Sequence, residues 1–240
     1  MKTVVVYLLL ILVLISISGV AGAGEDGTGK MYGGMGYFMI GAHQLNLDKF
    51  NERLVAANYA EISNNFLSMG GAGYGIFNSL IIGGEGSAIL TGTETTGHTK
   101  MGLGGGYGMF DLGYILYWTK SFRLYPILGL GFGSMMINAE NKSTMPSFDE
   151  LLDDPNRNLE MTVESFIINL SVNVDILKIM EENQDGSGGI IFGLRLGYLF
   201  SPYSSDWKML ETDVPGGPEL NFTGPYLRLC IGGGGGSSSK

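Results

Sequence analysis

Residues 167–176 read IINLSVNVDI. Ile168, Leu170, Val172, Val174 and Ile176 alternate with Asn169, Ser171, Asn173 and Asp175. A period of two is the signature of a strand with one apolar and one polar face. Such a strand suits two environments. In a soluble sheet the aliphatic face is the core and the polar face meets water. In a membrane-spanning barrel the aliphatic face meets lipid and the polar face lines a crowded interior.

Working outward, period-two segments bounded by turn residues recur at 33–43, 67–77, 80–91, 99–118, 122–137, 161–177, 189–202 and 222–233. Their number is even, and several exceed the five or six residues of an ordinary strand. The spacers alternate in length. Asn78-Ser79, Thr119-Lys120-Ser121 and the region of Asp185-Gly186 are short, whereas residues 44–66, 138–160 and 203–221 are long, with a medium loop at Thr91–His98. Long connections therefore fall at one end of an antiparallel meander and short ones at the other, the asymmetry of barrels with long extracellular loops. Within the long connections, Asp48 is placed to cap a short helix carrying Phe50, Leu54 and Ala57. Ser147 and Glu150 fit a capping box ahead of Leu151-Leu152. Both helices are expected to lie as lids on the barrel mouth.

The aliphatic face can be followed from strand to strand. Phe122, Leu124, Pro126, Leu128, Leu130 and Phe132 alternate with Arg123, Tyr125, Ile127 and two glycines. Phe192, Leu194, Leu196, Tyr198 and Phe200 alternate with Gly193, Arg195 and Gly197. Leu227, Leu229 and Ile231 oppose Arg228 and Cys230, Leu80, Ile82, Ala88 and Leu90 oppose Glu85 and Ser87, and Phe110, Leu112, Tyr114, Leu116 and Trp118 oppose Asp111 and Gly113. The second face is small residues with one or two charges per strand, while the lysines sit at strand ends and in loops. A solvated face would carry Lys, Glu and Thr at most positions. Small residues with isolated charges describe the filled bore of an eight-stranded barrel.

The reading is thus an all-β, eight-stranded antiparallel up-and-down transmembrane barrel over residues 24–240, ending in a short Gly/Ser tail. Leu128, Leu130, Leu170, Val172, Val174, Leu194, Leu196 and Leu229 are expected to face lipid. Glu85, Asp111, Arg123, Asn173, Asp175, Arg195 and Arg228 are expected to form an interior polar network. Its three acids and three arginines balance, as buried charge requires, and Asp175 calls for an arginine partner. Trp118, Phe122 and Phe192 near one end, with Phe132, Tyr198 and Phe200 near the other, suggest two interfacial girdles.

The N-terminus agrees with export. Lys2 precedes an apolar run from Val4 to Ser18, and Ala21-Gly22-Ala23 has the small-x-small form of a cleavage site, so residues 1–23 read as a removed signal peptide. The run falls short of the roughly 20 residues of a spanning helix.

The pattern resembles the small eight-stranded outer-membrane barrels of Gram-negative-type bacteria. That resemblance implies the outer-membrane bilayer and the barrel assembly machinery as partners. It departs from the family at the last strand, which usually ends in an aromatic residue. Here Cys230-Ile231 is followed by glycines and Ser-Ser-Ser-Lys240. Some members modify lipid A with a rim histidine and a Ser or acidic partner, which would make His43 or His98, with Ser68 or Ser87, candidates for an acyl hydrolase or transferase.

Composition limits other chemistry. The chain has 240 residues, net charge −9, 40 glycines and one cysteine. That charge argues against nucleic acid, and Cys230 alone supports neither a disulfide framework nor a cysteine metal cluster. The runs Gly71–Gly75 and Gly104–Gly108 lie inside strands, not between a strand and a helix, so they do not form a dinucleotide loop. No cofactor or metal is expected. Loop acids such as Glu140, Asp149, Asp206 and Asp213 form a negative rim. Asn141-Lys-Ser and Asn221-Phe-Thr match a glycosylation sequon, relevant only to a eukaryotic secretory setting. The expected role is non-enzymatic, structural or surface recognition through loops 44–66, 138–160 and 203–221, with at most a narrow gated pore. A soluble lipid-binding barrel with its faces reversed is the remaining alternative.

Overall fold

In a computed structural model, residues 30–90, 93–96, 99–119, 121–141, 159–183, 186–210 and 212–239 are described. The expected signal peptide, His98, and the capping box at Ser147–Glu150 lie outside these residues.

Eight long strands form the body: β1 (Lys30–Gln44), β2 (Asn65–Phe77), β3 (Leu80–Leu90), β4 (Thr99–Tyr114), β5 (Phe122–Asn141), β6 (Leu159–Asn183), β7 (Gly186–Ser204) and β8 (Gly224–Ser239). Each pairs antiparallel with the next, and β8 pairs with β1. The ring is closed, so the fold is the eight-stranded antiparallel up-and-down barrel that the alternation predicts. Short strands at Thr93–Thr96, Tyr117–Trp118 and Trp207–Met209 extend β4, β5 and β6. A further one at Thr212–Val214 pairs with Trp207–Met209. One helix, α1 (Asp48–Ala56), lies between β1 and β2.

The base of the barrel is the end with short turns. Asn78 and Ser79 alone join β2 to β3, and both have positive φ, 54° and 67°. That conformation matches the strand twist of a two-residue hairpin, and asparagine tolerates it well. The mouth is the opposite end, where the first and last long connections meet.

Three details differ from the sequence reading. The Gly/Ser tail is not a tail: β8 continues through Gly232–Ser239, pairing with Lys30–Tyr37 of β1 and Ser187–Ile191 of β7. Glycine disfavours a strand on its own, but here it completes two ladders whose backbone groups have no other partner. Secondly, β4 ends at Tyr114, and the chain turns so that Tyr117–Trp118 pairs back on Leu124 and Arg123. Trp118 then packs against the interior cluster at the base instead of standing in an outer girdle. Thirdly, Asp48 is the first residue of α1 and Leu47 is its N-cap, with no side-chain capping bond.

The bore is filled in three layers. At the base, Met39, Ile76, Ile81, Ile127 and Ile191 pack with Tyr37, Tyr74 and Tyr125. At the mouth, Leu103, Met135, Ile137, Val163, Ile167 and Leu199 form an apolar wall. The charged side chains lie between. The inner face is therefore less polar than a count of small and charged residues suggests. On β7, Ile191 and Leu199 bracket Gly193, Arg195 and Gly197, and both sit in runs that are apolar on either face, where a period of two is invisible.

Inward glycines are fixed by space. A Cβ on Gly232 would overlap the Gly36 carbonyl of β1, whereas one on outward Gly73 would meet nothing within 4 Å. Gly232→Val should destabilise the refolded barrel by at least about 2 kcal/mol through overpacking at the closing seam. Gly73→Ala should leave it unchanged, both read as urea midpoints with heat-modifiable gel mobility as the fold check.

Candidate functional site

The polar layer is built from inward positions of all eight long strands. Glu85 on β3 is its centre: Arg195 from β7 donates to one carboxylate oxygen, and Arg228 Nη1 from β8 donates to the other at 2.9 Å. All three side chains are buried. A carboxylate held between two guanidiniums offsets a desolvation cost that one isolated charge could not meet.

Tyrosines carry the network outward from this centre. Arg195 Nη1 also donates to Tyr74 Oη at 2.9 Å, and Tyr74 donates to Asp111 Oδ2 at 2.9 Å. Arg228 Nη2 donates to Tyr107 Oη, and its guanidinium lies 4.0 Å from the Tyr226 ring centroid. Tyr226 in turn donates to Asn169 Oδ1 at 2.8 Å. Nearer the base, Asp175 Oδ2 accepts from Tyr37 at 2.5 Å and Tyr125 at 3.0 Å. Asn173 Nδ2 reaches the Tyr125 carbonyl at 3.3 Å and Ser171 Oγ at 3.2 Å.

All seven residues singled out for the interior are buried there. The structure brings together Glu85, Arg195 and Arg228, and links Asp111 to them through Tyr74. Asp175 departs from expectation. Arg123 stands opposite it in the β5–β6 register, yet the hydrogen bonds of Asp175 come from phenols, and Arg123 Nη1 lies 3.8 Å from Met35 Sδ. Neutral O–H donors satisfy that carboxylate in place of a one-to-one ion pair. The tyrosines were the missed component. Strand parity was the available signal: Tyr125 shares a face with Arg123, Tyr107 with Asp111, and Tyr226 with Arg228.

On the outer surface, Leu128, Leu130, Leu194, Leu196 and Leu229 are exposed, while Leu170, Val172 and Val174 are half-buried on the same outward face.

The mouth is stopped by two connections. From the first, α1 turns Phe50 and Leu54 inward. From the last come Trp207, Leu220 and Phe222. Phe50 stacks on Trp207 with centroids 6.2 Å apart and planes 22° from parallel. Trp207 Nε1 donates to the Pro218 carbonyl at 2.8 Å, and Lys49 pairs with Glu219 at 3.6 Å across the two loops. Asn51 clamps Ile62 with two 2.9 Å backbone bonds. The lid expected from Phe50 and Leu54 is thus a plug whose side chains enter the bore.

His43 lies beneath this plug, fully buried, edge-on to Tyr226 at 6.1 Å. The His43 ring is set against the backbone carbonyls of Phe222 and Gly224, and no hydrogen bond joins it to Ser68 Oγ or Ser87 Oγ, so the candidate histidine and serines are not bonded to one another. Among the described residues, no group of three or more His, Cys, Asp or Glu side chains is placed to hold a metal.

Neither a protein-family model nor a curated protein matches the chain. Among solved structures, the attachment invasion locus protein Ail of Yersinia pestis is 10% identical over 87% of this chain and 99% of its own, with a TM-score of 0.40. Neisserial surface protein A is 10% identical over 87% and 97%, TM-score 0.35. The outer-membrane protease OmpT of Escherichia coli is 11% identical over 88% and 95%, TM-score 0.31. These likenesses are distant, and the architecture rests on this chain's own strand pairing.

Removing Arg195 leaves Glu85 with one guanidinium and Tyr74 without its donor. Arg195→Leu should cost about 3–5 kcal/mol of barrel stability, and Tyr125→Phe about 1 kcal/mol. Urea unfolding of protein refolded in detergent or lipid vesicles measures both.

Proposed function

We propose that this chain is an exported outer-membrane barrel with a structural or surface-recognition role, not an enzyme. The observation that carries the reading is the outer surface. On β5, alternate residues from Phe122 to Phe132 are apolar and point outward. At about 3.3 Å per residue and a tilt of roughly 40°, they cover about 25 Å, the height of a lipid-facing band. Aromatic residues mark the edge of that band near the mouth. Phe132, which is 72% exposed, stands in register with Phe166 of β6, and Phe166 with Tyr203 of β7. At the base, Phe122, Ile176 and Phe192 are similarly aligned across β5, β6 and β7. A water-facing surface with so large a continuous apolar zone would aggregate. Closure of the ring satisfies every strand's backbone without water, the requirement for crossing lipid.

The proposed lipid face contains Leu128, Leu130, Leu170, Val172, Val174, Leu194, Leu196 and Leu229. The network of Glu85, Asp111, Arg123, Asn173, Asp175, Arg195 and Arg228 holds the bore shut between its two apolar layers, so any pore is narrow and gated. Residues 1–23 act as the removed signal, the barrel assembly machinery inserts the mature chain, and loops 44–66, 138–160 and 203–221 face outward to meet a ligand.

Two measurements test this. The mature chain should require detergent, fractionate with the outer membrane and migrate differently before and after boiling. A monomer stable in detergent-free buffer would overturn the reading. In planar bilayers the wild type should stay closed, and Arg195→Leu should raise the current. An open wild-type pore would remove the proposed role of the network.

A further inference from the structure

We draw no further inference here: the strongest candidate, the edge of β6 from Lys178 to Asn183 that runs past its last β5 partner at the base of the barrel, is broken by a register shift between Ile179 and Glu181 that blunts it against strand pairing, and nothing among the described residues shows what covers it.

Discussion

Ring closure is the constraint on which the rest of this structure depends. A sheet of eight strands leaves two rows of unpaired backbone groups unless its last strand finds its first. Here the register of β8 against β1 runs from Tyr226 opposite His43 to Ser239 opposite Lys30. On the β8 side, the second half of that ladder is all glycine and serine. The seam is therefore held by backbone hydrogen bonds more than by side-chain packing, and its inward glycines admit β1 where any Cβ would collide.

Closure creates a bore, and a bore must be filled. The chain does so with a layered interior: apolar at the base, charged and phenolic in the middle, apolar again at the mouth. The middle layer is stable because its charge is shared. Glu85 serves two arginines, and Asp111 and Asp175 are satisfied through tyrosine hydroxyls, so none of the three acids relies on a single arginine. Phenols suit this role, since each ring fills space in a narrow barrel while its hydroxyl bridges two polar groups. The mouth layer differs in kind. Part of it is supplied by loops, and so its stability is tied to contacts such as Lys49–Glu219 that are exposed to solvent.

Much of the fold was legible because alternation is a local property. Ile168 to Ile176 declare a two-faced strand without any knowledge of neighbours, and Asn78-Ser79 declare a tight turn. Residues whose state depends on distant pairing were not legible. Gly232–Ser239 carry no side-chain pattern, so only the waiting edges of β1 and β7 make them a strand. Trp118 continues the parity of β4 on paper, yet the chain turns before reaching it. Of the interior site, the charged members could be read from face and parity, whereas their pairing could not.

The sequence by itself determined the number of strands, which face of each is aliphatic, and which charges turn inward, because each of these follows from a repeat of two along one segment. Only the tertiary structure decided that Glu85 joins Arg195 and Arg228, that tyrosines rather than Arg123 satisfy Asp175, and that α1 enters the mouth. Those outcomes depend on strand stagger around a closed ring. Stagger sets which inward side chains meet at one height, and no single strand encodes it.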